Sequence, residues 1–165
     1  MVFSSVVFIS YFLPILLLLY FLVDKKYKNI LLLVGSIIFY SWGAPTFIFV
    51  LLFTTFLDFH LVKWMASATQ PKMRKLFLIV SVSINLGLLF YFKYCNFFIG
   101  NIDRVMVKMG MQPIPLLNVI MPIGISFYTF ETITYVVDVY RKVHKPLTRF
   151  QDYLLYIILF PKLIA

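Results

Sequence analysis

Residues 122–131 read PIGISFYTFE. A proline and a glycine open the stretch and a glutamate closes it, yet both flanks are oily, with LLNVIM before it and TITYVV after. Backbone N–H and C=O groups in hydrocarbon must find partners, so helix-breaking residues at membrane depth are tolerated only when buried in protein or bordering water. The stretch therefore predicts a fold with an interior, in which apolar helices shelter an element that turns polar groups inward.

The rest of the chain agrees with that environment. Of its 165 residues, 62% are hydrophobic, 19% aromatic and only 13% charged, and the mean hydropathy is +0.96. A soluble domain is about half apolar and a quarter charged, so the expected class is all-α: a single, polytopic transmembrane domain over residues 1–165. The formal charge is +9, from 15 Lys and Arg against 6 Asp and Glu. The basic residues fall in short clusters between oily runs, as expected of loops meeting anionic lipid, and form no face for nucleic acid. Cys95 is the one cysteine, which excludes an intrachain disulfide and any cysteine-based metal motif. The opening MVFSSVVFISYFLPILLLLYFLV lacks a basic start and a small-residue cleavage site, so it is expected to remain as a spanning helix.

The apolar runs predict about five complete spans and the start of a sixth: residues 3–23, 27–42, 47–64, 76–92 and 116–140, then Tyr153 onward. The first is roughly 31 Å long at 1.5 Å per residue, enough for one crossing. Gly43, Ala44 and Pro45 make the turn between the second and third. Basic residues alternate with these runs. Lys25, Lys26 and Lys28, then Lys63, Lys72, Arg74 and Lys75, then Arg141, Lys142, Lys145 and Arg149 fall on one side. Lys93, Arg104 and Lys108 fall on the other, which places the N-terminus outside the cytoplasm. Between the fourth and fifth runs, Phe98, Ile102, Val105, Met106 and Met109 recur at helical spacing with Asn101, Arg104 and Lys108 off that face. This predicts one amphipathic helix lying in the outer interface, either a surface helix without function or a lip around an outward-facing site.

The intramembrane polar residues are the candidate site. After Pro122 and Gly124, the side chains of Tyr128, Glu131, Tyr135 and Asp138 follow at steps of three and four and share one helix face. Asp138 lies near the helix end and can pair with Arg141 or Lys142. Glu131 is deeper, with no base nearby in sequence, so a partner on another helix, a proton or a watery passage must stabilise it; it belongs either to a structural polar network or to a tunnel wall. Asp58, with Thr54 and Thr55 one turn before it, joins the polar interior. His60 reads as a packed, hydrogen-bonded histidine, and Ser81 and Asn85, one turn apart, as polar glue between helices. GISFY is no nucleophile elbow, because Tyr128 stands where the second glycine belongs. No P-loop, dinucleotide fingerprint or HExxH occurs.

Several stretches resemble the membrane-bound O-acyltransferase family, and within it the alginate O-acetylase branch: MVFSSVVFISYFLPILLLLY, KNILLLVGSIIFYSW, YFKYCNFF, MPIGISFYTFETITYVVDVYR and FPKLIA. The likeness covers essentially the whole chain, and PIGISFYTFE is its more specific part. Family members are about three times as long, with an essential histidine in their later half, so this chain is expected to be the N-terminal part of a longer enzyme and inactive alone. Neither His60 nor His144 stands in a matching context, and no catalytic residue is carried over. The resemblance implies transfer of an acyl group, acetyl above all, from a thioester donor (acetyl-CoA or an acyl carrier) to hydroxyls of an exported polysaccharide such as alginate. It implies the bacterial cytoplasmic membrane as location, the lipid bilayer and the proteins of a polysaccharide export and acetylation complex as partners, and no resident cofactor. In this frame Pro122, Gly124, Tyr128, Glu131, Tyr135 and Asp58 line a tunnel or polar interior. The alternative is a small transporter or channel subunit with Asp58 and Glu131 as ion-path carboxylates.

Overall fold

The structure, a computed structural model, describes residues 6–109, 121–122 and 124–163. Every regular element among them is helical. The chain enters through a π-helical turn, Phe8–Phe12, continuous with α1, Leu13–Leu22. Pro14 accounts for the widened turn. It has no N–H to give the carbonyl one turn back, and the ladder shifts so that the Leu13 N–H reaches the Phe8 carbonyl. Helices α2 (Lys28–Gly43), α3 (Phe47–Ser67), α4 (Pro71–Lys108), α5 (Ile125–Tyr140), α6 (Phe150–Ile158) and α7 (Phe160–Leu163) follow.

Both α3 and α5 pack along α4, while α6 is inserted among α2, α3 and α5. Tyr153, Ile157 and Ile158 of α6 are completely enclosed, so this short helix forms the centre of the bundle. A second apolar cluster joins the two ends of the described chain. Phe8, Phe12, Phe39 and Phe160 meet with ring centroids 5.2–6.0 Å apart. In the same region Leu16 of α1 packs over Gly35 of α2, and the Ser36 hydroxyl accepts the Phe160 N–H at 3.3 Å. That contact satisfies a backbone donor at the start of α7, where no helical partner exists.

The outward faces are apolar. Phe21, Phe49 and Phe53 are 77%, 72% and 62% exposed, and in water each would forgo roughly 1.5–3 kcal/mol of burial. Among the described residues two helices, α3 and α4, are long and apolar enough to cross a membrane; Phe8–Leu22 and α2 are shorter.

The expected five full spans therefore meet two helices of full spanning length. The interfacial helix expected beyond Phe92 is not a separate element: α4 runs without interruption from Pro71 to Lys108. Lys93 and Asn101 mark a change of surroundings but cannot stop a helix, and Gly87 and Gly100 lower its propensity without breaking it. The expected start of the fifth run at Leu116 lies outside the described residues, and its helix begins at Ile125. The sixth run is helical only to Ile158. Leu159 leaves the helical conformation with ψ 114° before α7 begins, because Pro161 cannot supply the N–H that a continuous helix would give to Ile157. Asp138 pairs with neither Arg141 nor Lys142; the ion pair formed among the described residues is Glu131 with Lys162. The helix ends at Tyr140 and Lys142 turns left-handed at φ 62°, so the helical spacing that would have aligned those charges is lost.

Candidate functional site

Helix α5 starts where the sequence places its breakers. Gly124 caps it at φ 75°, a conformation that L-residues with a Cβ adopt at a cost and glycine adopts freely. The Ile125 N–H closes the turn onto the Pro122 carbonyl at 3.3 Å, and Pro122 is fully buried. From there the helix divides into two faces. Tyr128, Thr129, Thr132, Tyr135 and Val136 are buried, whereas Phe127 and Phe130 are exposed.

Glu131 lies on the inward side, with its side chain 11% exposed. Its Oε1 binds the ammonium of Lys162 on α7, and that ammonium also sits 4.2 Å over the ring of Tyr156 on α6. Oε2 is enclosed with no hydrogen bond of standard geometry. Three elements thus converge on one partly buried charge pair. From it a column of phenols runs inward: Tyr156 lies 5.7 Å from Tyr135, and Tyr135 lies 4.9 Å from Tyr153. The Tyr135 hydroxyl accepts the Leu147 N–H at 2.8 Å, which ties the α5–α6 loop to the helix.

Asp58 forms the other polar centre. It is 1% exposed, and its two oxygens accept from Ser81 Oγ at 2.5 Å and Asn85 Nδ2 at 2.8 Å. Ser81 and Asn85 are one turn apart on α4, so both reach the same carboxylate on α3. Phe59, next in sequence to Asp58, stacks on Tyr153 with ring centroids 5.9 Å apart, which brings the two centres to opposite ends of one phenol column.

The six residues singled out in the sequence are therefore distributed along the interior. Glu131 and Tyr135 share the α6 contact and Asp58 faces α4. Tyr128 lies near Tyr40 of α2, and Pro122 and Gly124 stand at the head of α5. His60 bonds the Phe56 carbonyl of its own helix at 2.9 Å and takes no part. Sequence reasoning missed Lys162, Tyr153 and Tyr156. Lys162 interrupts an apolar run, which was the available signal; the tyrosines sit in the pattern QDYLLYIILF, indistinguishable from core. Among the described residues, no three His, Cys, Asp or Glu side chains gather as metal ligands would.

The chain is 41% identical along its whole length to "Probable alginate O-acetylase AlgI" of Pseudomonas syringae pv. tomato, covering 32% of that protein. It is 39% identical, again over its whole length, to the protein of the same name in Pseudomonas aeruginosa, of which it covers 32%. The similarity to these proteins named as alginate O-acetylases runs through the whole length of the chain. A "Peptidoglycan O-acetyltransferase" of Helicobacter pylori also matches, at 28% identity over the whole chain and 36% of the relative. The chain spans about a third of the length of these relatives. No family model and no solved structure matches it.

Proposed function

We propose that the chain is the N-terminal portion of a membrane O-acyltransferase that moves an acetyl group from a thioester donor to hydroxyls of an exported polysaccharide. The supporting observation is the similarity that runs through all 165 residues to proteins named as O-acetylases of alginate and of peptidoglycan. In such a transfer a general base takes the acceptor's hydroxyl proton and the oxygen attacks the thioester carbonyl. The C–S bond then breaks, the ester remains on the polymer and the thiol departs. His60 and His144 do not supply that base, which belongs to the remainder of the protein.

In this reading α3 and the first half of α4 cross the bilayer, α1, α2 and α5 complete the crossings with shorter spans, and α6 and α7 form an interior element shielded from lipid. The α4 extension beyond Phe92 projects outside the hydrocarbon. A helix of 38 residues is roughly 57 Å long against a core of about 30 Å. The loops rich in lysine and arginine face the cytoplasm and the N-terminus lies outside. The column from Glu131 to Asp58 then borders the path by which donor and polymer, on opposite faces of the membrane, come together. Export and acetylation proteins are the partners that this activity calls for.

The test is expression of the full-length protein in a host deleted for its own polysaccharide acetylase, with O-acetyl content of the purified polymer measured by NMR. The expected result is restored acetylation. A well-expressed protein that leaves both alginate and peptidoglycan unacetylated would reject the reading.

A further inference from the structure

At the end of α5 remote from Gly124, the α3–α4 turn and the α5–α6 loop surround a concavity of about 460 Å³. Its walls carry Arg74, Lys142, His144 and Lys145, with Thr69 as a neutral donor and no Asp or Glu. The carboxylates of the adjoining elements, Asp138 of α5 and Asp152 of α6, line no part of it. The N-terminus of α4, the positive end of a long helix, lies between Thr69 and Arg74 and adds to the same field.

Two further observations show a built site rather than a loose collection of surface charge. Arg74 is held in place, since its Nη2 donates to the Tyr140 carbonyl at 2.9 Å. Its Nε is nevertheless buried without an acceptor. A guanidinium carries five donors in a rigid fork, and this one, which also lies 5.6 Å over the Tyr140 ring, is fixed at the wall of the concavity. Lys142 is the second. It closes α5 at φ 62°, with its N–H on the Val139 carbonyl at 3.1 Å. Glycine fits such a position without strain, and an L-residue adopts it at a cost. A lysine at that point sets its cation at the rim of the concavity.

We propose that this concavity binds a phosphate ester, whether on a soluble metabolite or as the headgroup of an anionic phospholipid. Two lysines and a forked guanidinium exceed what a single carboxylate requires and suit the multiple charged oxygens of phosphate. The inference stands apart from acyl transfer, because binding can occur with or without that activity.

The experiment uses the full-length protein in lipid nanodiscs. Radiolabelled inorganic pyrophosphate is titrated in discs of phosphatidylcholine alone, and native mass spectrometry scores retained phosphatidylglycerol in discs containing both lipids. Saturable pyrophosphate binding identifies the soluble source; retained phosphatidylglycerol without it identifies the lipid. In either case Lys142→Gly combined with Lys145→Gln is expected to weaken binding roughly tenfold or more, since two charge-assisted contacts are removed, while Lys25→Gln with Lys26→Gln leaves it unchanged. Lys142→Gly relieves backbone strain, so a thermal midpoint no lower than that of the wild type separates lost binding from lost folding. The proposal is overturned if neither probe binds, if the cavity pair binds like the wild type, or if both pairs weaken binding equally.

Discussion

Asp58 and Glu131 are anchored in different ways, and substitution distinguishes them. Asp58 accepts two short hydrogen bonds inside the bundle, so Asp58→Ala leaves Ser81 and Asn85 with unsatisfied donors. The expected loss is roughly 2–4 kcal/mol, with Ser81→Ala costing about half as much. Thermal unfolding in detergent, followed by intrinsic fluorescence, checks this; coincident transitions for Asp58→Ala and wild type would show that the cluster contributes nothing. Glu131 holds a lysine whose side chain is 38% exposed, and solvent screening reduces the worth of the pair to about 1–3 kcal/mol. Its larger effect is expected on activity. In the full-length protein Glu131→Gln should lower polymer acetylation more than Asp138→Asn, because Glu131 gathers α5, α6 and α7 whereas Asp138 has no ion-pair partner among the described residues. Equal, near-wild-type acetylation by both variants would remove Glu131 from the site.

At the scale of elements, α1 comes close to α2 at Gly35. A Cβ built on Gly35 falls 2.7 Å from Leu16 Cδ1. That atom ends a flexible side chain, so Gly35→Ala should be accommodated by a rotamer shift at less than about 1 kcal/mol. Gly35→Leu cannot be accommodated in this way and should cost roughly 1–3 kcal/mol by overpacking. Leu16→Ala in the same chain should recover part of that loss, which urea or heat unfolding of the double variant would reveal; no recovery would mean that the two helices do not meet there. By contrast, among the described residues nothing lies within 4 Å of a Cβ at Gly87 or Gly100, so these α4 glycines reflect no contact with them.

For the whole molecule the decisive quantity is orientation. Arg74 on the Tyr140 carbonyl places the start of α4 and the end of α5 at one end of the bundle, which brings two of the three basic loops together. With Cys95 replaced by alanine, single cysteines at Val143 and at Lys26 should react with a membrane-impermeant maleimide only in inside-out vesicles, and one at Asn101 only in right-side-out cells. Labelling of Val143→Cys from outside the cell would reverse the assignment.

Much of this was legible in the sequence. Hydropathy and the spacing of charges depend on local composition, so the helical class could be read from one chain; the turn expected at Gly43, Ala44 and Pro45 falls one residue later, between Gly43 and Phe47, and of the face expected to hold Tyr128, Glu131, Tyr135 and Asp138 the two tyrosines are buried. Breakers are local as well, and Gly124 starts α5 where glycine is needed. Tertiary structure alone decided which groups meet: Lys162 with Glu131 across 31 positions, Ser81 and Asn85 with Asp58 across 23 and 27. It also decided that α6 is the enclosed core and that α4 continues beyond Phe92. A pairing between distant segments depends on how helices cross, which no local pattern records, whereas the face a side chain takes follows directly from the 3.6-residue period.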